Sequence, residues 1–156
     1  MKFREHICQA VEEIFATMIF LDIAVMEGEP CSLGKEDMLS GVIGFAGDLK
    51  GTILIHLPAP VAIAITNAFL ELDLDEVNSE VKDAIGELAN MVAGGFKYHL
   101  PENGQNLQLS IPSVISGRGY TCEATGSFSR LVVPFETPAG SFFTEMLIKG
   151  TLPAAA

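Results

Sequence analysis

The apolar residues of this chain change period in an order that restricts the fold. A helical segment is followed by two strand-like alternations, then by two further helical segments and three more strand-like runs. The order does not alternate strand, helix and strand, as it does in chains that form parallel sheets. It therefore favours strand hairpins, with the helices in a separate layer. The sequence therefore predicts an α+β fold, with an antiparallel sheet packed against helices. The helices are expected at 3–19, 60–71 and 79–100, and the strands at 38–47, 50–57, 107–116, 129–137 and 141–150.

Length and composition predict a single globular domain over residues 1–156. Of these residues 49% are apolar and 19% are charged, which is enough apolar surface to build a core. A faint repeat places the segment 10–18 over 84–92, with alanine, glutamate and aliphatic positions in the same order. Two amphipathic helices share such a pattern by chance, so duplication and coincidence both remain open.

The charge balance argues against a nucleic-acid partner. Lys and Arg number 9 against 20 Asp and Glu, for a formal net charge of -11, whereas phosphate binding requires a basic face. An acidic surface suits a partner with a basic patch, although many acidic proteins have no such partner. No segment approaches the roughly 20 uninterrupted apolar residues of a membrane span, and the charged start does not resemble a secretory leader.

The cysteine and histidine residues match no metal-binding or disulfide pattern. Cys8, Cys31 and Cys122 are widely spaced, and an odd number of scattered thiols suits the reducing cytoplasm, where we expect the protein. We interpret them as small buried hydrophobic residues, and we predict no metal site. The histidines are also isolated, and His56 alternates within a predicted strand as a half-buried packing residue would.

The predicted helix 79–100 has two faces of different composition. At about 100° per residue, the apolar stripe consists of Val81, Ile85, Leu88, Val92 and Phe96. The residues near the opposite side are Asp83, Glu87, Asn90 and Gly94. Asn and Gly are poor helix formers, and a glycine such as Gly94 costs roughly 1 kcal/mol relative to alanine in an exposed helix. Its missing side chain would let another backbone approach closely, which gives a reason for the loss.

Two interpretations of this polar face remain open from the residues alone. In the first, Glu87 is a solvated charge, Asn90 has no role and the glycines serve helix packing. In the second, a carboxylate and an amide at positions i and i+3 are neighbours and form a small polar site that grips a cation and orients a water molecule. No G-x-S-x-G, G-x-G-x-x-G or P-loop motif competes with this site.

The segment ELANMVAGG, preceded by Asp83, resembles the Asp/Ser-x-x-x-Glu-x-x-Asn signature of the CheC/CheX/FliY chemotaxis phosphatases. The resemblance is closest to CheX and covers most of the chain in the expected order. Its other segments are IFATMIFLDI with the following GEP, GFAGDLKGTILIHL, and LSIPSVISGRGY. Pro112 in the last of these lies one residue short of the family's downstream proline. The E-x-x-N pattern alone is weak, but with these flanks it is specific.

The resemblance implies a fold with two halves related by a pseudo-twofold axis, which agrees with the faint repeat. Some relatives carry a second Glu-x-x-Asn site on the first helix, whereas the matching residues here are Glu13 and Ala16. The resemblance therefore implies one site in each chain. It also implies a homodimer that is joined through the sheets.

The resemblance further implies the chemistry of the site. The family's substrate is a phosphorylated CheY-type response regulator, which brings its own Mg²⁺ and lysine, so that this chain would bind no metal or other cofactor. The implied catalytic residues are Asn90, which would orient the hydrolytic water from an inserted helix, and Glu87, which would anchor on the regulator's lysine. Asp83 would form a rim contact with the partner, and Gly94 would leave clearance for its loops.

Two other functions are compatible with the sequence. One is a non-catalytic module that binds a receiver domain or a flagellar-switch component, and this function leaves the amide of Asn90 without a purpose. The other is a structural dimerisation domain, which leaves the polar, glycine-bearing helix face unexplained.

Overall fold

One antiparallel sheet with helices packed against it makes up the computed structural model, which describes residues 2–28 and 36–150. Its strands are β1 (Ala24–Val25), β2 (Met38–Gly47), β3 (Gly51–Pro58), β4 (Leu107–Leu109), β5 (Ser113–Gly117), β6 (Phe128–Thr137) and β7 (Gly140–Lys149). Its α-helices are α1 (Phe3–Ile14), α2 (Ala59–Leu70) and α3 (Ser79–Tyr98). The strand order is β1-β6-β7-β3-β2, and both β4 and β5 pair with the outer edge of β2. The predicted α+β class is confirmed.

The alternation of side chains along the strands gives the sheet one apolar face for the helices. Leu39 and Ile43 of β2 belong to a buried cluster that also contains residues of all three helices. At Gly41, between them, an added Cβ would lie 2.8 Å from the Cβ of Ala89 and 3.0 Å from the carbonyl oxygen of Ile85. The missing side chain of Gly41 therefore lets α3 lie close against β2.

Helices α1 and α3 cross where small residues meet. An added Cβ on Gly95 would lie 2.9 Å from the Cβ of Ala10, closer than real Cβ atoms approach. The rings of Phe3 and Phe96 pack nearby, with centroids 5.8 Å apart. Gly95 thus serves helix packing, as the first interpretation of the glycines proposes. The two helices of the faint repeat contact each other, and the pseudo-twofold relation between the halves stays a prediction.

The predicted elements agree with the structure to within two residues, except in the segment 107–116. The prediction of one strand there is wrong, because residues 110–112 separate β4 from β5. Pro112 lacks the N–H that a continuous strand would need. Strand β1 was not predicted, since two residues are too few to show an alternation. The first helix reaches residue 19 as predicted, with a π-helical last turn, Phe15–Ile19.

The described part of the chain contains neither a helix suited to cross a membrane nor a disulfide. Cys8 is buried and Cys122 is half-buried, and burial raises the pKa of both thiols. A raised pKa keeps a thiol protonated and weakly reactive, which agrees with the interpretation of Cys8 as a small buried hydrophobic residue. Cys31 lies outside the described residues, as do Glu29 and Pro30 of the GEP segment.

Candidate functional site

Helix α3 is fixed at its start by its own sequence. The side chain of Asn78 accepts a hydrogen bond from the N–H of Val81 at 3.1 Å, so Asn78 is the N-cap. Glu80 lies in the first turn and Lys97 in the last, where each charge complements the helix dipole. The cap and the terminal charges therefore stabilise this helix of 20 residues, which sets the directions of the side chains along its length.

The two predicted faces of α3 differ in burial as the helical period requires. The residues of the apolar stripe are each at most 1% exposed: Val81, Ile85, Leu88, Val92 and Phe96. On the opposite side Asp83, Glu87 and Asn90 are exposed, and Gly94 is partly exposed. The structure thus brings the four predicted site residues onto one solvent-facing surface, the α3 polar face.

The polar side chains of this face are not engaged within the part of the chain that the structure describes. Across residues 2–28 and 36–150, no hydrogen bond or ion pair holds the side chains of Asp83, Glu87 or Asn90. A carboxylate and an amide one turn apart are therefore available to a partner.

The glycines of ELANMVAGG differ in what surrounds them. An added Cβ on Gly94 would meet nothing within 4 Å, so packing among the described residues gives no reason for a glycine there. At Gly86 an added Cβ would lie 3.4 Å from Cγ2 of Val114 and 3.9 Å from the ring of Pro112, which are ordinary contact distances or slightly less. Gly86 therefore lies beside β5 and the turn that precedes it, whereas Gly94 faces open space.

The α3 polar face lies outside the main surface cavities. Four cavities, with volumes from ≈ 100 to ≈ 500 Å³, are lined by other parts of the chain, and none of these four is lined by a residue of α3. The described residues hold no group of three or more His, Cys, Asp and Glu side chains that is placed to bind a metal ion. Small ligands bind in concave sites, so this surface suits a macromolecule that brings its own cleft.

The matching position on the first helix is arranged differently. Glu13 lies 3.4 Å from Nε2 of His99, and Ala16 supplies no amide. His6 stacks on His99 with ring centroids 6.0 Å apart. Burial, reinforced by the charge of His99, lowers the pKa of His6. The carboxylate of Glu13 thus faces a histidine of its own chain. Residues 13 and 16 do not form a second exposed pair of a carboxylate and an amide.

A second polar cluster, on the sheet face away from the helices, was not found from the sequence. His56 is fully buried, not half-buried as predicted, and its Nδ1 lies 2.6 Å from Oγ of Ser40. Its Nε2 donates to Glu145 at 3.0 Å, because a carboxylate can only accept. Glu145 also accepts a hydrogen bond from Arg130, and the hydroxyl of Tyr120 is paired with Ser40. We call these five residues the outer-face network.

The outer-face network has the residue types of a hydrolytic triad, but its serine and its histidine are buried. Ser40 and His56 are 0% exposed, and the hydroxyl of Tyr120 is bonded to the serine hydroxyl. The signal of the network in the sequence was a single glutamate, Glu145, in the middle of the strand-like run SFFTEMLIKG. The hydrogen bond to Ser40 links the loop that contains Tyr120 to the sheet.

The part of the chain that contains the α3 polar face matches a known protein family. The family model described as chemotaxis phosphatase CheX matches residues 39–136, which is more than half of the chain and includes the whole polar face. The CheY-P phosphatase CheX of Thermotoga maritima is 26% identical over an alignment of 117 residues that covers 72% of this chain and 76% of that protein.

Solved structures share the fold over nearly the full length. The chemotaxis protein CheX from Vibrio vulnificus has a TM-score of 0.83 and 29% identity, covering 96% of this chain and 97% of its own. CheX in the CheX–CheY–BeF3–Mg²⁺ complex from Borrelia burgdorferi has a TM-score of 0.78, covering 95% and 98%, and at 20% identity this likeness concerns the fold alone. The family predicted from ELANMVAGG and its flanks is confirmed: the chain belongs to the chemotaxis phosphatase CheX family.

Proposed function

We propose that this protein hydrolyses the aspartyl phosphate of a CheY-type response regulator. The observation that carries the proposal is the exposed pair of Glu87 and Asn90 on the α3 polar face, whose side chains are unengaged among the described residues. The substrate class is supported by the Thermotoga relative, which is a CheY-P phosphatase, and by the Borrelia relative, which forms a complex with CheY. A non-catalytic binding module would have no use for the amide of Asn90.

The proposed reaction requires few chemical groups from this chain. Water attacks the phosphorus, the bond between phosphorus and the aspartyl oxygen breaks, and the products are inorganic phosphate and the free carboxylate, with a proton released. The regulator supplies Mg²⁺ and a lysine to balance charge on the phosphoryl group. Asn90 orients the water, because an amide can donate and accept hydrogen bonds while it stays neutral. No cofactor of this chain enters the reaction.

The remaining residues of the polar face hold the partner in place. Glu87 lies one turn before Asn90 and forms an ion pair with the regulator's lysine, which aligns the phosphoryl group with the water. Gly94 lies one turn after Asn90 in open space and leaves room for the regulator's loops. Asp83, one turn before Glu87, is exposed and forms a contact at the rim.

We also propose that two copies pair through their sheets, and that residues 1–156 form a single domain. Strand β5 supports the pairing: it is hydrogen-bonded to β2 on one side, and its other edge has no strand partner among the described residues. An exposed edge of this kind presents unpaired N–H and C=O groups with which a strand of a second chain can pair.

The direct test is the rate of phosphate release from a phosphorylated CheY-type receiver with and without this protein. We expect catalytic acceleration above the spontaneous rate, and we expect EDTA to abolish it by removing Mg²⁺ from the receiver. An unchanged rate with the protein present would refute the proposal. A metal ion retained by the purified protein alone would contradict the assignment of Mg²⁺ to the partner.

Replacing Glu87 with alanine should weaken binding of the receiver and reduce activity together. Loss of one member of an ion pair that is desolvated on binding costs about 2 kcal/mol or more, roughly a thirtyfold rise in Kd. Titration calorimetry with a beryllofluoride-loaded receiver measures this. The matched control is Glu12→Ala, which removes the same charge from an exposed position on α1. An affinity equal to that of the control would exclude Glu87 as the anchor.

A further inference from the structure

The most exposed large hydrophobic residue in the described chain is Ile111. Its exposure is 85%, compared with 76% for Phe20 and 65% for Tyr98. Single apolar residues on a surface are common and need no explanation by themselves. What distinguishes Ile111 is its backbone, which is held in place, and its position beside the α3 polar face.

The backbone on either side of Ile111 is ordered by neighbours in the sheet. The N–H of Ser110 donates to the carbonyl of Gly44 at 2.8 Å, and the N–H of Gly44 donates to Oγ of Ser110 at 2.9 Å. The same hydroxyl donates to the carbonyl of Ile111 at 3.0 Å. Pro112 follows and has a fixed φ. Because this turn is ordered before a partner arrives, little conformational entropy is lost when Ile111 is buried in an interface.

The turn lies against the helix that carries the candidate site. The ring carbons of Pro112 lie 3.9 Å from the position of a Cβ on Gly86. Gly86 directly precedes Glu87 and lies one helical turn before Asn90. A protein interface of standard size covers about 800 Å² on each partner, equivalent to a disc with a radius of roughly 16 Å. A receiver that is bound at Glu87 and Asn90 would therefore extend to the turn that contains Ile111 and Pro112.

We propose that Ile111 is an apolar anchor for the receiver domain, at the border of the α3 polar face. This inference rests on the proposed function and adds to it the chemistry of the docking surface. The receiver offers a cationic group for Glu87 and, next to it, an apolar depression for Ile111. The exposed carboxylates of Asp83 and Glu87 favour a cationic partner surface. An apolar contact that becomes buried among polar ones is the usual arrangement of a protein interface.

The test compares Ile111→Ser with Met26→Ser, a matched control at the opposite edge of the sheet. Met26 is 39% exposed, and it directly follows β1, which lies at the far end of the strand order from β4 and β5. We expect Ile111→Ser to raise KM and the Kd for the beryllofluoride-loaded receiver about tenfold. The value of kcat should not change, since Ile111 does not touch the reacting atoms. Ile111→Leu should restore binding, and Met26→Ser should behave as the wild type.

Three outcomes would overturn the inference. The first is an unchanged Kd for Ile111→Ser in a wild-type background that hydrolyses the receiver phosphate, which would leave the proposed function intact. The second is weaker binding together with a changed oligomeric state in sedimentation, which would make Ile111 a contact between copies of this chain. The third is a wild type that neither binds nor dephosphorylates the receiver, in which case the proposed function fails as well.

Discussion

Replacing Asn90 with alanine should reduce phosphate release from the phosphorylated receiver to nearly the spontaneous rate, while binding of the receiver is largely kept. The amide is the group that holds the attacking water, and alanine has nothing to replace it. If orientation of the water contributes about a hundredfold, the barrier rises by roughly 2.7 kcal/mol. The measurement is a single-turnover decay of the phosphorylated receiver, with a parallel titration of the beryllofluoride form.

The variant separates chemistry from folding, because alanine favours a helix more than asparagine does. The side chain of Asn90 is exposed and makes no hydrogen bond within the described residues, so replacing it removes no side-chain hydrogen bond from the fold. Asn106→Ala is the control, since it removes another exposed amide from the segment between the end of α3 and β4. If Asn90→Ala releases phosphate as fast as the wild type, Asn90 has no part in the mechanism.

The two faces of α3 could be predicted from the sequence, because the spacing of residues along a helix determines the side of the helix on which each side chain lies. The buried stripe from Val81 to Phe96 and the exposed Glu87 and Asn90 follow from the 3.6-residue period alone. The structural roles of Gly94 and Gly95 could not be predicted in this way. Gly95 faces Ala10 on another helix, whereas Gly94 faces open space, and spacing within one helix does not distinguish these surroundings.

The outer-face network could not be predicted because its partners are far apart in the chain. His56 is 16 residues from Ser40 and 89 residues from Glu145, and Ser40 is 80 residues from Tyr120. Strand pairing brings them together, and the register that does so depends on the whole sheet. The division of 107–116 into β4 and β5, by contrast, has a local signal in Pro112, which lacks the N–H that a continuous strand would need.

Replacing Glu145 with alanine should lower the free energy of unfolding by about 3–5 kcal/mol, because it leaves buried polar groups without their partner. The side chain of Glu145 is 7% exposed, and it accepts hydrogen bonds from both His56 and Arg130. Urea denaturation followed by circular dichroism measures the loss. The control is Glu136→Ala, which removes an exposed glutamate from the adjacent strand β6 and should change stability little. Equal losses in the two variants would show that the network does not stabilise the fold.

The pH dependence of the Glu145 loss distinguishes the charge from the packing of the side chain. Burial alone would raise the pKa of Glu145, but the hydrogen bonds from His56 and Arg130 outweigh it and hold the pKa below its ordinary value of 4.5. A carboxyl whose pKa is lower in the folded state binds fewer protons than it does in the unfolded chain. It therefore stabilises the fold fully above pH 4.5 and loses this effect as the pH falls through the folded value. The difference in stability between the wild type and Glu145→Ala should accordingly shrink as the pH falls below 4.5. A difference that stays the same in acid would assign the loss to the cavity left by the side chain instead of to the charge.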